Sequence, residues 1–193
     1  MITRNDFYDN KQVEILCRFC RDKAWQDLRK GRFTWPKRWM IVDLALYTGL
    51  RCSELRRVTV GHIHLKEAFM DVFRSKGGKH GTLPLSKNIC EHLKDHITLF
   101  DLLKADDFLL GRKGKQLSLS GIADHWIKAV EATDLPRITI HGARHTCVSN
   151  IIAKHGMKAA QEWVKHASIQ TTIDVYGHIP YEKMQDIGES MYK

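Results

Sequence analysis

Along most of this chain apolar residues recur at intervals of three and four, and only between Ala68 and Leu85 does the period change to short runs of strand type. That one change of period restricts the chain to a mainly helical fold with one small sheet. Asp9 or Asn10 can cap a first helix running to about Lys30, where Gly31 ends it. Pro36 then opens a second, carried by Trp39, Ile41, Leu44 and Leu46 to Gly49, a left-handed terminator that turns the chain sharply and places Arg51 at a helix junction. The runs at 69–73 and 82–85 flank the Gly-rich stretch 76–81, which reads as a hairpin with a basic tip. Helical patterns return at about 87–103 and 120–132, and again from His141 to the end in several short pieces. The expected class is α+β, mainly α with a small antiparallel sheet. With no internal repeat, low-complexity tract or convincing linker, residues 1–193 read as a single domain, and the stretches 29–37 and 112–115 read as exposed basic loops.

Composition narrows the function classes. A hydrophobic content of 43% builds a core without disulfides or metal, and five cysteines, an odd set without framework spacing, point to a reducing compartment. The expected location is the cytoplasm, associated with the nucleoid. Cys17 and Cys20 form a C-x-x-C, but both lie in the helical pattern with Val13, Leu16 and Phe19 and no second pair follows at zinc spacing, so they are read as core. Lys plus Arg exceed Asp plus Glu by 31 to 22, a net +9 spread along the chain, which suits a polyanion better than a membrane. The longest apolar stretch, 40–47, is too short to span a bilayer and carries Asp43.

Several residues could carry chemistry. His141 and Arg144, three apart at a helix start, share a face and could hold one phosphate between a guanidinium fork and unpaired helix amides. Taken alone, an H-x-x-R on a helix is common and reads as a solvated or capping pair. His141 and His145 have the spacing of a helical zinc pair, yet the glutamate of a metalloprotease motif is missing. His62 and His64, which would share a strand face, are read as surface histidines for want of a third ligand. No P-loop and no carboxylate cluster suited to two-metal chemistry is present, and no metal or other cofactor is expected.

These residues acquire a joint meaning through their order. Thr48-Gly49-Leu50-Arg51-Cys52-Ser53-Glu54-Leu55 comes first, then Lys76 and Lys79 on the hairpin ending at Pro84-Leu85, then His141-Gly142-Ala143-Arg144 followed by His145-Thr146, then His166-Ala167-Ser168-Ile169-Gln170-Thr171-Thr172-Ile173-Asp174-Val175-Tyr176. The series resembles the catalytic domain of the tyrosine recombinases and phage-type integrases over nearly its whole length. The resemblance implies a site-specific DNA recombinase that cleaves and rejoins strands through a 3′-phosphotyrosine on Tyr176. In that scheme Arg51 and Arg144 clamp the scissile phosphate, His141 takes or relays the tyrosine proton, His166 hydrogen-bonds the phosphate, Lys76 protonates the leaving 5′ oxygen, and Glu54 orients the site. Lys79 and Lys115 are expected as DNA contacts.

Some features depart from that pattern. Only 50 residues precede Arg51, so the helical clamp domain usual in the family is expected to be missing, whether through excision or in a naturally short enzyme. The usual Leu-Gly before the second histidine is Val164-Lys165. After Tyr176 comes an apolar and aromatic set, Ile179, Tyr181, Met184, Ile187, Met191 and Tyr192, which the resemblance would dock on a neighbouring protomer and which could also fold back on its own domain. The implied partners are duplex DNA with an inverted-repeat core, further copies assembled as dimer or tetramer on DNA, and accessory DNA-bending proteins. A type IB topoisomerase or a catalytically silent DNA-binding regulator on the same scaffold would share many of these residues.

Overall fold

The computed structural model describes residues 7–73, 80–111 and 115–164. Helix α1 spans Asn10–Leu28 and is opened by a capping box, in which the Asp9 carboxylate accepts from the Gln12 amide at 2.8 Å and the Gln12 side chain accepts from the Asp9 amide at 3.0 Å. Its buried stripe of Leu16, Cys20 and Ala24 follows the four-residue spacing and lies on helix α2, Thr34–Thr48. Two turns of α1 thus deliver Cys20 to the core, where burial and Asp43 push its thiol up to about 12, leaving a packing residue.

Helix α2 is the central strut. It is enclosed by α1, α4 (Lys87–Leu99), α5 (Leu119–Val130) and α6 (Ile140–Val164), so apolar residues occupy nearly its whole circumference, including Met40, Ile41, Val42, Leu44 and Ala45. Each large side chain of this kind contributes about 1.5–3 kcal/mol through burial. α2 begins before Pro36, at Thr34, and Lys37 stands in the helix rather than in an exposed loop, its ammonium donating to the Gly111 carbonyl at 2.6 Å. Ser86 and Ser118 cap α4 and α5 by accepting the amides of Ile89 and Gly121. From α5, Trp126 enters the core fully buried and its indole N–H donates to the Ile138 carbonyl at 2.9 Å, fixing the approach to α6.

Between α3 (Cys52–Leu55) and α4 lies an antiparallel sheet in the order β1–β2–β3, formed by Ile63–His64, Phe69–Phe73 and His80–Pro84. Met70 faces Ile63 on one side and Leu83 on the other, and Met70, Val72 and Leu83 form the buried face. The hairpin expected from the change of period is therefore present with a third, two-residue strand beside it. His62 and His64 do not share a strand face. His62 closes a 3-10 turn, takes the Thr59 amide on its ring and lies against Phe73, whereas His64 lies in β1, pairs with Asp71 at 3.0 Å and stacks on Phe69. The first helix and α4 stop short of their expected ends, at Leu28 and Leu99.

The last described element agrees with the expected series of short helical pieces as far as Val164. α6 is two helical pieces joined across a kink at Gly156, whose φ of 82° and ψ of 171° are not helical and whose φ is one that a side chain would oppose. No helix among the described residues is long and apolar enough to cross a membrane.

Candidate active site

Two chain reversals build the site, and both depend on how a helix ends or begins. At the C-terminus of α2, Gly49 adopts φ +60° and returns its amide to the Ala45 carbonyl. The left-handed turn brings the chain against α6 so closely that a Cβ on Gly49 would sit 3.1 Å from the Cys147 sulfur and 3.2 Å from a Val164 methyl. The next residues restart as the short helix α3, with Arg51 as its extended N-cap. Glu54, one turn on, accepts the Arg51 amide at 2.9 Å and the Arg51 guanidinium at 3.0 Å. The carboxylate is 1% exposed, so both of its bonds are sheltered from water, while the arginine remains 37% exposed and reaches outward.

Facing it is the first turn of α6. Thr139 accepts the Gly142 amide at 2.8 Å as the helix starts, placing His141 and Arg144 on one face. Arg144 is only 4% exposed, and its guanidinium donates to the Gly49 carbonyl at 2.5 Å, across 95 residues of sequence. That carbonyl belongs to the last turn of α2, where the helix cannot supply donors of its own. The same end is further served by Cys147 and by the Trp163 indole, both of which donate to the Tyr47 carbonyl. Arg144 thereby lies beside the Arg51 turn, with His141 between the two cations and solvent.

Electrostatics register this convergence. Partial desolvation, then Arg144, then Arg51 hold the His141 imidazole below its ordinary range, which favours the neutral ring. The His145 ring meets it edge to face at 4.6 Å. Among the described residues no group of three histidine, cysteine or carboxylate side chains is arranged to hold a metal, and the His141–His145 pair has no third member. A pair of cations beside a neutral imidazole can bind an oxyanion and accept a proton from a nucleophile next to it.

Of the residues singled out in sequence, Arg51, Glu54, His141 and Arg144 come together here. Lys115 is exposed, and its neighbour Gln116 is joined to Arg56, just after α3, by two hydrogen bonds at 2.5 and 3.0 Å. Lys76, Lys79, His166 and Tyr176 lie outside the described residues, as does the apolar set beyond Tyr176. Sequence reasoning missed the carbonyls of Tyr47 and Gly49 as anchors for α6. The signal was present, since a left-handed glycine closing a buried helix leaves carbonyls that must find donors from elsewhere.

Comparison with known proteins decides the family. The model for the "Phage integrase family" matches residues 7–183. The chain belongs to that family. Curated relatives include the tyrosine recombinase XerC of Pseudomonas entomophila, 28% identical over 79% of this chain and 51% of the relative, and the tyrosine recombinase XerD of Staphylococcus saprophyticus, 32% identical over 72% and 49%. The chain thus spans about half the length of the curated relatives it matches. Among solved structures, XerA recombinase superposes with a TM-score of 0.75 at 20% identity, covering 97% of this chain and 65% of that one. The XerH site-specific recombinase bound to its difH substrate gives 0.74 at 18%, covering 97% and 55%. These similarities establish the fold as that of the family, mainly helical with its small antiparallel sheet.

Proposed function

We propose that this chain is the catalytic unit of a site-specific DNA recombinase, cleaving and rejoining one strand at a time through Tyr176. The observation that carries the reading is the convergence of Arg51, His141 and Arg144, from two chain reversals far apart in sequence, around a corner braced by the buried Glu54. Family membership supports it.

In the scheme, Arg51 and Arg144 hold the two non-bridging oxygens of the scissile phosphate, where charge accumulates as phosphorus becomes five-coordinate. The phenol of Tyr176, ordinarily of pKa about 10, needs its proton removed, and His141, kept neutral by its surroundings, receives it. The tyrosine oxygen forms a bond to phosphorus and the bond to the 5′ oxygen breaks, with Lys76 donating a proton to that leaving oxygen and His166 hydrogen-bonding the phosphate. Attack by a 5′ hydroxyl of another strand reverses the steps and releases Tyr176. Because the phosphotyrosine ester retains the energy of the broken bond, resealing proceeds without ATP, and the cations of the site do the work of charge stabilisation.

Within this reading the partner is duplex DNA with an inverted-repeat core, bound by several copies, with the segment after Tyr176 joining neighbours and DNA-bending proteins shaping the assembly. Lys79 and Lys115 contact backbone phosphates. The test is a duplex nicked near the cleavage position, so that the short product diffuses away and the covalent adduct accumulates on a denaturing gel. Wild type is expected to give the band and Tyr176→Phe none. Binding of the cognate duplex without any band from wild type would overturn the reading in favour of a silent DNA binder, and relaxation of plasmids lacking a special site would favour a topoisomerase.

A further inference from the structure

The His141–Arg144 turn is held from behind by a residue far away in sequence. Tyr8, just ahead of α1, is 1% exposed and touches the chain on both sides of that turn. Its hydroxyl donates to the Pro136 carbonyl at 2.6 Å, before α6 begins, and its backbone amide donates to the Thr146 hydroxyl oxygen at 2.9 Å, two residues after Arg144. Thr146, likewise 1% exposed, donates its own hydroxyl proton to the Gly142 carbonyl at 2.8 Å. A threonine inside a helix ordinarily satisfies its hydroxyl by such a bond to the preceding turn, and any hydroxyl would serve. Here the same oxygen is in addition the acceptor for a buried amide from the start of the domain, a group that would otherwise be left without a partner.

Among the described residues, Tyr8 is bonded to the chain both before and after this turn, and the Trp126 indole holds the Ile138 carbonyl between those two points. Arg144 is tied inward to the Gly49 carbonyl, but His141 points to solvent, so its position relative to Arg51 follows from the angle at which α6 starts. Pro136 and Thr146 bracket that start, and Tyr8 grips both. We propose that Tyr8 and Thr146 are positioning residues that set the pitch of the His141–Arg144 turn, so that the segment leading into α1 acts on the phosphate site through Thr146. This rests on the catalytic reading above and adds to it a structural input from the chain's first described residues.

Among the described residues, the charged and titratable groups facing His141 are Arg144 and His145 on α6 and Arg51 at the head of α3. A turn released by loss of the clip carries the imidazole away from Arg51 and into water, so its pKa rises towards the ordinary value. Thr146→Val keeps the shape and removes the acceptor, Thr146→Ser keeps the acceptor, and Tyr8→Phe removes only the bond to Pro136. The experiment has two readouts on folded full-length protein: NMR titration of the His141 ring protons, assigned with His141→Gln, and single-turnover adduct formation on the nicked duplex. Thr146→Val is expected to raise the His141 pKa and slow adduct formation about 10- to 100-fold, the scale of an ångström-sized misplacement, with DNA affinity held within about twofold. Thr146→Ser restores both, and Tyr8→Phe gives a smaller change in the same direction. An unchanged His141 titration in Thr146→Val overturns the inference whatever the activity does, as does a rate loss that merely tracks the unfolded fraction. A wild type that forms no adduct overturns the catalytic reading instead, and the titration still decides this one.

Discussion

Two arginines face the same position in this molecule and are held there by opposite means. Arg51 is over a third exposed and takes its direction from a buried carboxylate one helical turn away, whereas Arg144 is almost wholly buried and is tied to the backbone carbonyl of another helix. The first arrangement is local, written in three consecutive residue steps, and leaves the guanidinium free to follow a ligand. The second joins α2 to α6 and makes the cation part of the interior. A site assembled in this way has one rigid wall and one compliant one, and the comparison predicts that removal of the two side chains will be felt differently by the fold.

The largest effect is expected from Arg144→Ala. In the proposed scheme it deletes a phosphate donor, which by analogy with oxyanion-binding groups costs about 10²–10³-fold in the chemical step, and it also strands the buried Gly49 carbonyl, at about 1–3 kcal/mol of stability. Single-turnover adduct formation and a denaturant melt should therefore both change, and a melt unchanged within error would break the contrast between the walls. Arg51→Ala should lose a comparable factor in rate while losing less stability, since the buried Glu54 carboxylate keeps its bond from the backbone amide of residue 51. It also has a signature in pH. In the proposed scheme His141 acts as a base when neutral, and desolvation, Arg144 and Arg51 lower its pKa, so the acid limb of the wild-type rate profile should lie below the ordinary histidine value. Without Arg51 one lowering influence is gone and the limb must move to higher pH, and a limb that stays or falls would show that the two cations do not share the ring. The smallest effect belongs to Lys115, an exposed cation. Lys115→Ala should leave the cleavage rate of bound DNA intact and shallow the dependence of log affinity on log salt by about 0.9, one phosphate contact. An unchanged slope removes it from the interface.

How much of this was legible beforehand varied with the range of the interaction concerned. The capped start of α1, the glycine stop of α2 and the hairpin strands all follow from residues within a turn or two of one another, and each stands where its local chemistry places it. The juxtaposition of Arg51 with Glu54, and of His141 with Arg144, is of the same kind, because helical spacing alone puts them on one face. Where the reading missed, longer-range packing was at work. The separate pieces of α6 were legible, but not that Ala160 and Val164 beyond the Gly156 kink continue the buried face with Val148. Lys37 passed for a loop cation because nothing nearby announces the Gly111 carbonyl that receives it.

From its order of motifs alone, the amino-acid sequence determined the family, the helical class with one small sheet, and which residue types are available for phosphate chemistry. Only the tertiary structure decided that Arg144 is an interior residue anchored on α2, that Glu54 is shielded from water, and that Tyr8 and Thr146 close around the His141 turn. The reason is physical: spacing along a helix specifies which side chains share a face, but burial and the pairing of orphaned backbone groups depend on which distant segment packs there.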